Sequence, residues 1–539
     1  MRKATAILIV ILAATTAVAA DRKIKITKRY LNYPVAHSVD RRWMTLSVGG
    51  QQACRSVIRL TDGAPDYWVF EDVTMWKGKT LTINFDGDAA ALAKIFQADT
   101  IMGESEIYHE QYRPQYHFTT RRGWINDPNG LVFFKGKYHM FYQHNPYERE
   151  WENMHWGHAV STDLLHWQEL PLALHPDTIG TMFSGSAVAV GDTLYAFYTA
   201  DRPEYERQCM AYSTDEGLTW TKYAGNPVID SHERWQSHDT RDPKVFWYAP
   251  GKHWVLVLNE RDGHTIYNST NLVNWTPMSH ITGFWECPEL FSLNGAWVMW
   301  GASGTYMTGT FDGKTFTPLG PKQCNLNGSA YAAQCFNNIP ATDGRVIKMA
   351  WGRISFDDMP FNGCMLLPQE QVLVNTSQGL RLYSRPVAET EQLFEKAYEG
   401  HDLSQTEANK ALEAFNGNDL LRIRLTLQLT YATDAGLKYR GQRLLDYDMN
   451  GNRLQGEFFV PDSLTPDPSP TGEGRMQLTA DIYVDRAIVE GYINDGAFSY
   501  SMKRDVKSSS AEGYTLYGNQ LKVKQLEVFA FSPSKSQPN

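Results

Sequence analysis

Between about residue 115 and residue 375 the chain repeats itself, and an internal repeat limits the choice of fold more sharply than any composition does. Five times a polar residue is followed by an apolar strand, a turn and a second apolar-aromatic strand. Asp127 is followed by LVFFKGKYHMFYQ, Ser184 by AVAVGDTLYAFYTA, Asp242 by KVFWYAPGKHWVLVLN and Glu286 by ELFSLNGAWVMWG. The fifth copy is GSAYAAQCFNN and then RVIKMAWGR. A second echo runs out of phase with the first: STDLLHW (161–167), STDEGLTW (213–220), STNLVNW (269–275) and a degenerate FDGKTF (311–316). A unit of about 40–58 residues that holds three or four strands has the size of a propeller blade. The expected class is therefore all-β, with a five-bladed β-propeller at its centre. A long sandwich would not repeat a motif with this regularity.

The flanks are read from strand patterning. RRWMTLSV, SVIRLTD, YWVFEDV and KTLTINF are apolar-aromatic runs between polar turns, which points to a small β-rich module over residues 21–110. The propeller is expected over 111–380. Residues 381–399 read as a helix-like linker. Residues 400–539 return to alternation, as in LLRIRLTLQLTY and LKVKQLEVFAF, and predict a β-sandwich. Within it, SLTPDPSPTGEGR (463–475) reads as a flexible surface insertion.

Residues 1–20 carry a processing signature: Arg2 and Lys3, a mostly apolar Ala4–Ala14, and Ala17-Val18-Ala19 as a cleavage site. The apolar stretch is too short for a comfortable membrane span. An exported protein, periplasmic or extracellular, is expected. A net charge of −9 leaves no basic footprint for nucleic acid. The six cysteines form no CxxC pair. Core thiols are the default reading, with a Cys324–Cys335 bridge as the alternative.

In a propeller the innermost strand of each blade lines the central channel. Asp127, Ser184, Asp242 and Glu286 are then expected to converge, and three of the four are carboxylates. GWINDPNG (123–130), which carries Asp127, has turn chemistry at the mouth of an apolar run. Three carboxylates at one pocket suit glycosyl transfer to water. One attacks or activates water, one protonates the leaving oxygen, and like charges held close keep at least one of them protonated.

GWINDPNG, FSGSA (183–187), RDP (241–243) and ECPEL (286–290), in that order, resemble the signature blocks of glycoside hydrolase family 32, which contains invertases, inulinases and levanases. FYQHNP (141–146), HWGHAVSTDLLHW (155–167) and VDRAIVEGYINDG (484–496) are similar to it too, so the resemblance covers roughly 115–533. It implies a fructan oligo- or polysaccharide substrate and no metal or cofactor. It makes Asp127 the nucleophile, Glu286 the acid and then base, and Asp242 the group that holds sugar hydroxyls and stabilises the transition state. A retaining mechanism would put the Asp127 and Glu286 carboxyls about 5–5.5 Å apart. The same matching gives sugar contacts to Asn126, Gln143, Trp151, Phe183, Ser184, Arg241 and Trp351, and a tuning role to Cys287.

Glu152 and Gln369 depart from the family pattern, and both are expected at the pocket rim, where they would bear on substrate preference. DYDMNGNRLQGE (446–457) satisfies a calcium-loop pattern, but its flanks read as strands and Asn-Gly as a hairpin turn. His155 and His158, three apart on a strand, point to opposite faces. The rival readings are a fructosyltransferase, an inverting arabinan- or xylan-cleaving propeller, and a silent sugar-binding propeller.

Overall fold

The computed structural model describes residues 20–430, 434–459, 475–519 and 521–533. The expected signal peptide and the 463–475 insertion lie outside these but for Ala20 and Arg475. The described residues are 55% strand and 7% helix, and the chain divides into two compact units, residues 1–102 and 103–539.

The first unit is two antiparallel sheets. One joins Ala20–Lys25, Thr80–Phe85, Arg42–Val48 and Gln51–Ile58, and the other Tyr67–Asp72, Tyr30–Val35 and Phe96–Ala98. Alternation places Met44, Leu46, Leu81 and Ile83 inside. This unit closes at Met102, short of the expected 110. Residues 103–110 belong to the second unit because Glu110 pairs with Arg113 and Arg122, and the Tyr108 hydroxyl donates to Glu169.

In the second unit the repeat becomes five sheets, each carrying four antiparallel strands in chain order, and three of them add one short strand. Their first strands are Gly123–Phe134, Thr181–Val190, Thr240–Tyr248, Glu289–Leu293 and Ala330–Cys335. These strands are tied to one another by side chains. Ser186 Oγ donates to Pro243 O (2.7 Å) and accepts from Val245 N (2.8 Å). Gln334 accepts from Leu131 N and donates to Gly185 O. Lys244 Nζ donates to Cys335 O (2.8 Å) and lies 2.9 Å from Glu289 Oε1.

The out-of-phase echo is the corner between the third and fourth strands. Asp163 Oδ1 accepts from Leu165 N and His166 N, Asp215 Oδ1 from Thr219 N, and Asn271 Oδ1 from Val273 N and Asn274 N. The closing indoles of Trp167, Trp220 and Trp275 donate to Leu164 O, Gly217 O and Leu272 O. In the degenerate copy Asp312 Oδ1 holds Lys314 N and Thr315 N. The echo is therefore side-chain turn chemistry that fixes a corner.

Residues 381–399 are not a linker. Gly379–Pro386 is the fourth strand of the fifth sheet, Ala388–Leu393 is a 3₁₀ turn, and Phe394–Ser404 is an edge strand of the next sheet. The edge strand is rich in Glu and Lys, residues that favour helices in isolation and that blunt sheet edges in a fold. The one α-helix of this region is Gln405–Leu412, opened by a capping box of Ser404 and Glu407. The remaining strands form a six-stranded and a five-stranded sheet. Leu421, Ile423, Leu425 and Leu427 on one share a core with Leu437, Leu445 and Leu516 on the other. Asp446 to Glu457 is strand, turn and strand, and Asp448 Oδ1 is used to hold Asn450 N and Gly451 N. All six cysteines are free, Cys324 exposed and Cys335 buried.

A buried ion triad joins the sandwich to the segment that enters the first sheet. Asp485 accepts from the backbone of Gln115, Tyr116 and His117 and from His117 Nδ1 (2.8 Å), and Glu490 Oε1 accepts from His117 Nε2 (2.7 Å) and Leu367 N. Burial disfavours the imidazolium, but the two carboxylates outweigh burial and raise His117 to about 9. Its folded value lies above its unfolded value of about 6.5. The triad's contribution is thus complete below about pH 6.5 and is lost as pH rises through about 9. Melting temperature should fall across that window, and Glu490→Gln, which breaks a buried pair, should cost roughly 3–5 kcal/mol and flatten the alkaline fall. A wild-type alkaline slope in Glu490→Gln would contradict this account.

Candidate active site

The first strands are not regular, and their irregularities carry the functional residues. Register shifts fall between Ile125 and Pro128, between Phe183 and Gly185, between Arg241 and Lys244, and between Tyr331 and Gln334. Asn126, Asp127, Ser184 and Asp242 sit inside those bulges. A bulge leaves its extra residue without a ladder partner and re-aims its side chain. GWINDPNG is thus a bulged strand rather than a turn. Gly130, at φ +54°, is required there because a Cβ would meet Phe141 Cδ2 at 2.7 Å. Asp242 (φ +66°), Glu286 (+49°) and Cys287 (+40°) hold left-handed conformations that non-glycine residues rarely adopt.

What holds this backbone is itself a repeat. Near the end of the second strand in the first three sheets stands a buried polar residue: Gln143, Thr199 and Asn259. Each grips the backbone of the next sheet. Gln143 Nε2 donates to Met182 O (2.9 Å), Thr199 Oγ1 accepts from Asp242 N (3.0 Å), and Asn259 Oδ1 accepts from Glu286 N (2.9 Å).

The three carboxylates meet around one thiol. Cys287 Sγ lies 3.8 Å from Asp127 Oδ2 and 3.6 Å from Asp242 Oδ2, and Cys287 N donates to Asp242 Oδ2 (2.9 Å). Asp127 Oδ2 also accepts from Ser184 Oγ (2.8 Å). Glu286 Oε2 accepts from the Tyr331 hydroxyl (2.7 Å), and its Oε1 lies 3.4 Å from Arg241 Nε. Burial raises Asp127; Ser184 and Asn126 oppose that, and Glu286 adds to it. Burial takes Asp242 further, up to about 8; Arg241 opposes, and Glu286 and Asp127 add. Burial and the three carboxylates hold Cys287 protonated, as a donor. Two carboxyls at one pocket with a third beside them are the equipment of glycosidic bond cleavage.

Residues 117–386 match the model of the glycosyl hydrolases family 32 N-terminal domain. Over 500 residues the chain is 36% identical to a levanase of Bacillus subtilis, an alignment covering 81% of this chain and 72% of that one. The chain belongs to glycosyl hydrolase family 32. It is also 31% identical to an extracellular exo-inulinase of Aspergillus ficuum, covering 75% of this chain and 92% of that protein. Its fold is similar to the crystal structure of an exo-inulinase from Aspergillus awamori, with TM-score 0.66, 26% identity, and 79% and 99% of the two chains covered.

Around the carboxylates of this family 32 chain the other expected residues divide. Asn126 accepts from the Trp124 indole (2.8 Å). Trp151, half exposed, stands edge-on to Phe183, beside Ser184, with ring centroids 6.0 Å apart. Trp351 packs edge-on against Trp124 (5.8 Å) and Tyr331 (6.4 Å). Glu152 adjoins Trp151, and its Oε1 accepts from Asn153 N (3.4 Å). Gln369 is not at a rim: it is buried and donates to the Tyr492 hydroxyl (3.1 Å). Its substitution belongs to the seam with the sandwich, where Glu490 and Tyr492 also bond. His155 and His158 part as expected, His155 to Asn153 O and His158 to His139.

Tyr331, Trp124, Thr199, Asn259 and Glu206 were not anticipated. Tyr331 sits in the fifth copy where the other copies carry their polar residue, so alignment of the repeats would have found it. The Gln143, Thr199 and Asn259 positions were equally open to that alignment.

The Ser184 hydroxyl favours the ionised form of Asp127, so its loss raises the pH at which Asp127 ionises. Ser184→Ala should move the acidic limb of the kcat/KM profile to higher pH and lower kcat/KM below that limb on the order of tenfold. A uniform fall with an unmoved limb would show that Ser184 only binds sugar.

Proposed function

We propose that this chain is an exported, retaining β-fructofuranosidase that releases fructose from the ends of fructans. The observation that carries the reading is the convergence of Asp127, Asp242 and Glu286, from three distant segments, about the Cys287 thiol. The names of the relatives, levanase and extracellular exo-inulinase, support the substrate class and the export. The scaffold is read as a five-bladed propeller. In support, the five sheets are cross-tied through their first strands, and Phe361–Asn362, beyond the second strand of the fifth sheet, pairs with Gly123–Trp124 of the first.

In this mechanism Asp127 attacks the anomeric carbon while Glu286 protonates the departing oxygen. The fructosyl–Asp127 ester is then hydrolysed by a water that gives its proton to Glu286. Asp242 holds sugar hydroxyls and stabilises the oxocarbenium-like transition state. Arg241, Asn126 and Gln143 supply polar contacts. Trp151, Phe183 and Trp351 supply apolar walls. Among the described residues no helix is long and apolar enough to cross a membrane.

Glu286→Ala should lower hydrolysis of natural fructans about 10²–10⁴-fold and spare a fructoside whose leaving group needs no proton. Equal loss on both substrates would remove Glu286 from the acid role. Chromatography of early products from inulin and levan tests the end-cutting mode. Fructose alone supports it, and a ladder of oligosaccharides contradicts it.

A further inference from the structure

Arg241 makes three charged contacts. Its Nε lies 3.4 Å from Glu286 Oε1, Nη1 donates to Glu206 Oε1 (2.5 Å), and Nη2 donates to Asp239 Oδ1 (2.7 Å). A guanidinium beside a carboxyl favours the ionised carboxylate. For a residue that must hold a proton until the bond breaks, that neighbour works against the reaction. It has to be present to bind sugar, yet its charge must not reach Glu286 in full.

The two carboxylates on its other nitrogens differ in what they can do about this. The Asp239 side chain is 39% exposed and is screened by water and salt. The Glu206 side chain is 0% exposed, so its charge acts through a dry environment; burial raises its carboxyl, and Arg241 and the Thr240 amide oppose that rise. Glu206 is also fastened from behind: Oε2 accepts from Thr240 N (2.8 Å), and Glu206 O accepts from Thr240 Oγ1 (2.7 Å). It therefore grips both the side chain of Arg241 and the backbone of the preceding residue.

We propose that Glu206 is a positioning residue that offsets the charge of Arg241 and so weakens the pull of that guanidinium on the Glu286 carboxyl. The proposal rests on the reading of Glu286 as the acid. It assigns Glu206 no contact with substrate.

The surrounding charges fit this role. From the segment before Thr240, His238 Nδ1 lies 3.8 Å from Glu206 Oε1, and its Nε2 lies 3.6 Å from Asp201 on the second strand of the second sheet and donates to Arg202 O. Around Glu286 stand Arg241, the Tyr331 hydroxyl, Cys287, Asp242 and Asp127. Arg241 is the sole cation in that inner set. Burial disfavours the Arg241 charge, but Glu206 first and then Asp242 hold it protonated. Asp201, Glu206 and His238 have the spacing of a cation site, but Glu206 already spends both oxygens on Arg241 and Thr240.

Glu206→Gln is the test, because the amide oxygen can still accept from Arg241 or Thr240 while the charge is gone. The kcat/KM profile on a fructan oligosaccharide should lose its alkaline limb earlier, shifted down by on the order of one pH unit. Asp239→Asn should shift it much less. Thermal melting identifies a variant that has merely unfolded, and Glu206→Asp, which restores the charge, should return the limb toward its wild-type position. A folded Glu206→Gln enzyme with an unmoved limb overturns the proposal. Glu286→Gln, assayed on the same substrate at higher enzyme concentration, separates the two possible failures. If it keeps the wild-type alkaline limb, the limb is not that of Glu286 and the acid assignment fails. If it has none while Glu206→Gln leaves the limb in place, only the role of Glu206 fails.

Discussion

A regular β-strand cannot present the side chains this site needs. Successive residues point to opposite faces of a sheet, so a strand that starts each sheet would aim only alternate residues along the common axis and none toward a shared point beyond its end. The bulges at Asn126–Asp127, Ser184 and Asp242 break that alternation. A bulge costs ladder hydrogen bonds, and a left-handed backbone at Asp242, Glu286 and Cys287 costs on the order of 1–3 kcal/mol each. Something must hold the strained segments, and it is the neighbouring sheet. Thr199 and Asn259 accept the amides of Asp242 and Glu286 from one sheet away. Each of the first three sheets thus holds the backbone of the next, and the site depends on the order in which sheets follow one another.

The same arrangement sets the electrostatics. Burial raises Asp127 and Asp242, and the neighbouring carboxylates raise them further. Ser184, Asn126, Arg241 and the Cys287 amide each pull in the other direction. The opposing contributions are delivered by different strands, so the protonation state of the pocket is a property of the assembled unit. A single carboxyl in a single loop could not be tuned this way, because its environment would move with it.

The sequence disclosed the repeated parts of this molecule better than the unrepeated ones. The two interleaved echoes located the strand pairs and the corners, since both rest on local chemistry: apolar alternation in one, Asx turns closed by an indole in the other. The carboxylates were legible because each opens a repeat. Three misreadings have physical causes. GWINDPNG reads as a turn because Gly, Pro and Asn favour turns, yet the same residues suit a bulge, where a ladder bond is already missing. The strand Phe394–Ser404 was hidden by helix-forming Glu and Lys that serve an edge. The helix Gln405–Leu412 was announced by Ser404 and Glu407 and passed over in a region dominated by alternation. Tyr331 and Glu206 were out of reach for another reason. Their roles exist only across sheets, and local sequence says little about which strand lies beside which.

Aligning the sheets separates scaffold from function. The Asx corners recur in four of the five sheets because those sheets share one bend between their third and fourth strands. The polar residues of the second strand recur in the first three sheets because the backbone at Met182, Asp242 and Glu286 needs a hold. The residues that differ between copies at equivalent places, Asp127, Ser184, Asp242, Glu286 and Tyr331, are the ones that meet at the cluster. A symmetric scaffold would offer five identical groups to its centre, and five identical carboxylates could not divide the duties of attack and proton transfer. Chemistry on a fructosyl unit requires that symmetry be broken at the mouth of the sheets and kept elsewhere, and Arg241 with Glu206 on one flank and Ser184 on the other are where the break is made electrostatic as well as geometric.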